Sequence, residues 1–202
     1  MKNMKGGISF LLILFLLVSC KKQITADSDN ESDLAYKYFS LEKSGWKSKK
    51  NTQQADDIYF TATEVPLAYY ILKEKGADNL TSIDSVEKAN SKERILEFEF
   101  LQDEEQDLLK EEFTGRTYED GVKYMSFSIE NDFYVVTSKQ DTIKCSGTLF
   151  ERSFKLTPYK RVLLFFSGIE PDDEIQLIYN DRLYNKGTLK FKLQENLTKV
   201  IL

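Results

Sequence analysis

The chain has 202 residues, a formal net charge of −5, no histidine and two cysteines. The acidic balance argues against nucleic acid as a partner, because phosphate binding needs a basic surface. The lack of histidine excludes the usual serine and cysteine triads and histidine-ligated zinc, and two cysteines are too few for a four-thiolate zinc site. We therefore predict no metal, no cofactor and no catalytic residue.

The N-terminal segment has the form of a processed leader. Lys2 and Lys5 precede an apolar run of 11 residues, Ile8 to Val18. A helix that spans a bilayer needs about 20 apolar residues, so this run is too short to be a stable membrane anchor. It ends in Leu17-Val18-Ser19-Cys20, which resembles the lipobox of bacterial lipoproteins.

In that family, the cysteine thiol receives a diacylglyceryl group and the chain is cut just before it. The resemblance implies that residues 1–19 are a signal peptide and that Cys20 is the lipidated N-terminus of the mature protein. An ordinary secretory signal with cleavage nearby is the alternative. The frequency of Lys, Asn, Ile, Phe and Tyr is similar to that of Bacteroidota lipoproteins, which implies a cell-envelope location, at the outer membrane rather than the inner, on either face.

Residues 20–33 are predicted to be a flexible tether, because short polar side chains cannot bury enough apolar surface to become ordered. The acidic residues there lack the central glycine and closing glutamate of a calcium-binding loop, so no metal is expected. The chain also has no polybasic segment that could bind anionic headgroups. Contact with the membrane is therefore expected through the lipid on Cys20 alone.

Residues 34–202 are predicted to form a single β-rich domain. Leu96, Phe98 and Phe100 alternate with two glutamates, which is typical of a half-buried strand. A run apolar on both faces, 161–166, indicates a central strand. Further strands are predicted at 58–62, 67–72, 122–129, 133–138, 142–149, 150–156, 175–179 and 189–193. Nine or ten short strands at this spacing favour an all-β sandwich, immunoglobulin-like or similar.

Two segments interrupt the β pattern. A polar stretch, 74–93, is predicted to be a loop with one helical turn near Ser82 to Ala89. The better helix is Asp103 to Phe113, an amphipathic insertion near 103–113 that Asp103 can cap and that Gly115 stops. Cys145 is in phase with Ile143 and Leu149 on the 142–149 strand, which places the three on one face towards the core. We predict a buried, inert thiol there.

The candidate binding surface lies near this helix or on the connection Asn180 to Gly187. Both segments exceed the length that joining two strands requires, and binding residues collect on long loops carried by rigid scaffolds. The residues singled out on the connection are Asn180, Asp181, Arg182, Tyr184 and Asn185.

These observations leave three hypotheses for function. The first is a non-enzymatic envelope lipoprotein whose β-sandwich binds a protein partner or serves as an accessory subunit of an envelope assembly. The second is a lipoprotein that binds a glycan or another nutrient. The third is a hydrolase that uses two carboxylates, as glycosidases do. Glu97 and Glu99 share a strand face, but their alternation with apolar residues predicts a solvated outer face instead.

Overall fold

The computed structural model describes residues 49–67, 69–71, 83–104, 106–152 and 157–193. The predicted lipobox and tether lie outside them. The described strands form two antiparallel sheets, as predicted for an all-β sandwich. The first has the order β1-β2-β3-β7-β6 and the second β5-β4-β8-β9. The strands are β1 (Lys49–Ala55), β2 (Ile58–Glu64), β3 (Arg94–Gln102), β4 (Phe133–Thr137), β5 (Thr142–Lys144), β6 (Gly147–Glu151), β7 (Lys160–Phe166), β8 (Ile175–Asp181) and β9 (Gly187–Leu193).

The core lies between the sheets and is rich in aromatic rings. The predicted alternation of β3 is confirmed, since Leu96, Phe98 and Phe100 are fully buried. The ring of Phe98 lies 5.3 Å from that of Phe191 in the opposite sheet, and Phe133 is stacked on Tyr179 at 4.6 Å. Edge-to-face and offset ring pairs add stabilisation beyond area burial. The Phe98–Phe191 contact joins the two layers, and the Phe133–Tyr179 stack lies within the second sheet.

The two sheets are linked along both sides. On one side, the Asn51 amide of β1 donates to the carbonyl of Lys192 in β9 at 3.1 Å. On the other side the chain crosses between sheets after β5: the Cys145 N–H donates to Phe133 and the Ser146 N–H to Phe165. The segment 142–149 is therefore two strands in different sheets, not the single strand predicted, because each sheet edge captures half of it.

The crossing places Cys145 in partial burial against the core. Burial raises the pKa of its thiol, and this outweighs the lowering by hydrogen bonds to the backbone of Gly147 and Phe165. A thiol that ionises late is a poor nucleophile, which agrees with an inert residue. Leu149, predicted to share a buried face with Cys145, is instead 54% exposed on the outer face of β6.

The helical turn near residues 82–89 is confirmed as α1 (Ile83–Ala89). The helix predicted at Asp103 to Phe113 is wrong in its bounds, because only α2 (Glu111–Thr114) is helical there. Side chains replace the helical hydrogen bonds upstream: the side-chain Oε1 of Gln102 accepts the N–H of Gln106, and the Asp107 carboxylate accepts that of Leu109. Such side-chain acceptors compete with a continuous helix.

Gly115 ends α2 in the left-handed region with φ 63°, so the predicted stop signal is confirmed. Glycine adopts this conformation without the clash that a Cβ brings. Another predicted strand, 67–72, is also wrong, because residues 69–71 are helical. The N–H of Tyr69 donates to the carbonyl of Pro66, which turns the chain there.

The segment predicted as a strand at 122–129 is the main helix of the fold, α3 (Tyr118–Phe127), followed by a 3-10 helix (Ile129–Asp132). The Thr117 hydroxyl caps α3 by accepting the N–H of Asp120, and the buried residues Gly121, Tyr124 and Met125 follow helical spacing. Capping and a 3.6-residue period outweigh the apparent alternation here. The 3-10 helix contacts β4, β6 and β8 and so bridges the two sheets. Across the described ranges, no helix has the length and apolar character needed to cross a membrane.

Candidate binding groove on helix α3

A wide, open concave surface lies along α3. Its cavity of about 680 Å³ is lined by Arg116, Asp120, Lys123, Tyr124, Phe127 and Ser128, which we call the α3 groove. Positions three and four apart on a helix lie on one face, so α3 aligns the four lining side chains that it carries, and Arg116 and Ser128 adjoin its two ends. A regular strand would have divided them between two faces.

Phe127 is the most exposed large apolar side chain of the described residues, with 77% of its surface open to solvent. It lies at the last position of α3 and one turn beyond Tyr124, whose ring is buried. An aromatic ring held in water by a short, packed helix loses about 1.5–3 kcal/mol relative to burial. The fold does not recover this loss, so Phe127 offers a large apolar surface on which an external contact can form.

Arg116 forms one wall of the groove. Its guanidinium lies 4.3 Å from the centroid of the Tyr124 ring and donates one hydrogen bond, at 3.1 Å, to the carbonyl of Arg182. Within the described part of the chain it forms no ion pair. An arginine has five N–H donors in a planar fork, so Arg116 is held in position with donors to spare.

A buried carboxylate supports this wall. Asp132 is fully buried and accepts hydrogen bonds from the Tyr124 hydroxyl and from Arg182 Nε, the latter at 2.5 Å. Burial raises the pKa of Asp132, while the hydrogen bonds from Tyr124 and Arg182 oppose the increase. Burial and the bond to Asp132 also raise the pKa of the Tyr124 phenol, which therefore remains a protonated donor at neutral pH. The network fixes the tyrosine on which Arg116 stacks.

The predicted surface at 180–187 is only partly a surface. The connection is shorter than expected, because β8 continues to Asp181 and β9 begins at Gly187. Asn180 is half-buried in this strand pair and accepts a hydrogen bond from Thr188. Arg182 and Asn185 are exposed, and Arg182 is tied to Asp132 beside the α3 groove.

The prediction that Asp181 and Tyr184 belong to the binding surface is wrong, because both are buried. The Asp181 carboxylate accepts hydrogen bonds from the Tyr179 hydroxyl and from the backbone N–H groups of Leu183, Tyr184 and Lys186. A carboxylate that satisfies four donors holds its own loop together and has little capacity left for a partner. The Tyr184 ring packs against Phe60 and Phe100 in the core.

A second polar surface lies on the outer face of the first sheet. Glu97 and Glu99 point outward as predicted, and both have partners: the Tyr70 hydroxyl donates to Glu97 at 2.9 Å, and Arg161 donates to Glu99 at 2.7 Å. Arg161 also lies 5.0 Å from the centroid of the Tyr159 ring. A cavity of about 150 Å³ beside this cluster is lined by Glu151, Arg152, Thr157, Tyr159 and Arg161.

Other buried charges have structural partners. Arg94 donates to Glu64 at 2.6 Å and to the carbonyls of Glu170 and Pro171, so it fastens the loop before β8 to the first sheet. Among the described residues, no three His, Cys, Asp or Glu side chains are grouped so that they could hold a metal ion.

Sequence reasoning missed the α3 groove because it assigned 122–129 to a strand. The signal that could have found it is present: Thr117 three residues before Asp120 is an N-cap pattern, and Asp120, Tyr124 and Phe127 have helical spacing.

Comparisons with known proteins give no assignment for this arrangement. No family model matches the chain, and no curated protein matches it. Among solved structures, it is similar to a novel protein of unknown function from Burkholderia pseudomallei, with 7% identity and a TM-score of 0.37 over 84% of this chain and 88% of the other. At that level the similarity carries no argument about fold or function.

Proposed function

We propose that this protein is a lipid-anchored lipoprotein of the cell envelope whose β-sandwich binds a protein partner, without catalysis, through the α3 groove. The observation that carries the binding part of the proposal is the 77% exposure of Phe127 at the edge of the groove. The anchoring part depends on the lipobox-like Leu17-Val18-Ser19-Cys20.

The composition of the groove supports a protein rather than a small molecule as the partner. It is open and wide, at about 680 Å³, and it combines an arginine, a tyrosine and a phenylalanine. Arginine and aromatic residues are enriched at the centres of protein–protein interfaces, where they contribute a large share of the binding energy. Tyr124 and Phe127 are carried by a helix packed on the core, and Arg116 lies just before that helix. A rigid platform loses little entropy on binding.

Site-specific crosslinking tests the binding part of the proposal. A photoreactive phenylalanine analogue at position 127 should crosslink one polypeptide of the envelope in intact cells. The same analogue at Tyr134, half-buried in β4 of the second sheet, is the matched control and should not give that product.

The crosslinked partner should then be purified and should bind the full chain stoichiometrically, with Phe127→Ser weakening binding at least tenfold. Equal crosslinking at both positions, or unchanged affinity of Phe127→Ser, would contradict the proposal. Thermal melting of Phe127→Ser should match that of the unmodified protein, which separates loss of binding from loss of fold.

Lipidation is tested separately at Cys20. Cys20→Ala should leave the precursor uncleaved or release it in soluble form, whereas the unmodified chain should fractionate with membranes and carry lipid detectable by mass spectrometry. If Cys20→Ala protein still fractionates with membranes as a mature, lipid-bearing species, the anchoring assignment is wrong.

Glycan binding is a second candidate, favoured by the cavity of about 150 Å³ on the outer face of the first sheet. Tyr159 offers an aromatic ring beside the Arg161, Glu99 and Glu151 charges, a combination that can stack on a sugar ring and bond its hydroxyls. A glycan array with the purified full chain tests it. Binding that Tyr159→Ala abolishes would support this candidate, and no binding to any glycan would remove it.

A further inference from the structure

We infer that the α3 groove recognises an acidic segment of its partner, in which a carboxylate binds Arg116 while an apolar side chain two residues away packs on Phe127. This inference rests on the proposed function and specifies the chemistry of the partner.

The Arg116 guanidinium has more N–H donors than the fold uses. It is positioned by the Tyr124 ring at 4.3 Å and by one hydrogen bond to the Arg182 carbonyl. Four of its five N–H donors have no acceptor among the described residues. A carboxylate matches the arginine fork with two parallel hydrogen bonds, which is the strongest complement available from a protein side chain.

The carboxylates near Arg116 already have partners. Asp132 is buried with Tyr124 and Arg182, and Asp120 bonds to the Thr117 hydroxyl at 2.8 Å and lies 3.9 Å from Lys123. Arg116 is therefore the cation of the groove left without a counter-charge by the described residues. The remaining charges are paired, since Lys123 also lies 3.1 Å from Glu119 and Arg182 binds Asp132. The unfilled donors of Arg116, and not a surplus of positive charge, therefore favour an acidic ligand.

Arg116 and Phe127 line the same groove, and both adjoin Tyr124: Arg116 lies over its ring and Phe127 is one helical turn along. In an extended peptide, side chains two residues apart share a face and are separated by about 7 Å. An acidic residue and an apolar residue in an i, i+2 pair are therefore the nearest same-face pair that an extended segment can present to Arg116 and Phe127.

A synthetic peptide provides the test. The probe is fluorescein-labelled Ser-Glu-Ser-Phe-Ser-Glu-Ser with an amidated C-terminus, and its partner probe has glutamine at both glutamate positions. Fluorescence anisotropy with the full chain in a non-ionic detergent should show at least tenfold tighter binding of the glutamate peptide. The preference should fall as sodium chloride is raised, because exposed charge pairs are screened by salt.

Substitutions identify the side chains responsible. Arg116→Gln should reduce the glutamate preference to less than twofold, and Phe127→Ser should weaken both peptides equally. Arg116→Lys, which keeps the charge, should retain part of the preference even if Arg116→Gln folds poorly. Lys190→Gln removes an exposed cation on β9 and is the matched control, expected to change nothing. Equal binding of the two peptides, or an unchanged preference in Arg116→Gln, would overturn the inference.

The outcome separates this inference from the proposed function. A partner whose capture depends on Phe127 but tolerates Arg116→Gln would leave the function standing and remove the acidic ligand. Glutamate-specific peptide binding without any Phe127-dependent envelope partner would support the acidic ligand and remove the proposed function.

Discussion

The hairpin connection after β8 and the α3 groove lie side by side. For each of them, the role that the sequence suggests, binding surface or buried structure, is the reverse of the one seen in the structure. The connection is polar and suggests a binding loop, yet Asp181 turns its polarity inward against four donors. The α3 segment is half apolar and suggests a buried strand, yet it places Phe127 in solvent. A polar side chain in a loop can thus accept hydrogen bonds from the backbone of that loop. A solvent-exposed aromatic ring on a packed helix makes no comparable contact within the fold.

Arg182 connects the two regions. Its side chain, from the hairpin, binds Asp132 at the base of the groove, and its carbonyl accepts from Arg116. The hairpin therefore acts as a support for the groove. This comparison predicts that changes in the hairpin alter stability, while changes at the rim of the groove alter binding.

The largest effect is expected at Asp181. Asp181→Ala removes the acceptor of four hydrogen bonds, three of them buried, and should lower the free energy of unfolding by about 3 kcal/mol. Urea denaturation measures it, with Asp181→Asn, which keeps one oxygen, expected to lose less. A cost below about 1 kcal/mol would show that the hairpin does not depend on this carboxylate.

A smaller effect is expected at Asn185, which lies in the left-handed region at φ 59°. Asparagine adopts this conformation more readily than alanine or β-branched residues do. Asn185→Ala should therefore lower the free energy of unfolding by about 1 kcal/mol. Asn185→Gly is the control and should be close to neutral. Equal denaturation midpoints for alanine and glycine would contradict the loop geometry.

Tyr124 tests the support of the groove and its pH dependence. Tyr124→Phe removes the hydrogen bond to Asp132 and should cost about 1 kcal/mol at neutral pH. The folded protein raises the phenol pKa above its ordinary value of 10.0, so this group's contribution is complete below pH 10 and is lost as pH rises towards the folded pKa. The stability difference between the two proteins should therefore narrow above pH 10; a constant difference would contradict the assignment.

The smallest effect on stability is expected at Phe127. Phe127→Ser should change the free energy of unfolding by no more than about 0.5 kcal/mol, because the ring has little contact with the fold. The same substitution should abolish partner capture. A loss of several degrees in melting temperature would mean that Phe127 belongs to the core and would remove the contrast between the two regions.

The sequence predicted the parts of the fold that depend on local patterns. The alternation of β3 and the strands β4, β7, β8 and β9 were readable because one or both faces of each strand are buried in the core. The strand β1 was missed because Lys49–Ala55 is polar up to its last residue and takes strand form through its pairing with β2. An edge strand with few buried side chains leaves no hydrophobic period to detect.

The candidate site was less predictable. Of the five residues proposed on the hairpin, only Arg182 lies beside the groove that the structure reveals, and its partner Asp132 is 50 residues away in the chain. Arg116 and Tyr124 acquire their role from a stacking contact between the approach to α3 and α3 itself. The sequence does not show which segments meet in the fold. Neither the Arg182–Asp132 pair nor the Arg116–Tyr124 contact could therefore be predicted from residue spacing.

The sequence by itself determined the all-β class and the lipobox-like N-terminus, because strand periodicity and a leader pattern are properties of consecutive residues. Only the tertiary structure decided that residues 118–127 are a helix, that Asp181 faces inward and that Phe127 faces water. These outcomes depend on which donors, acceptors and apolar surfaces distant segments bring together, and a partnered carboxylate or an unburied ring is defined only once those partners are in place.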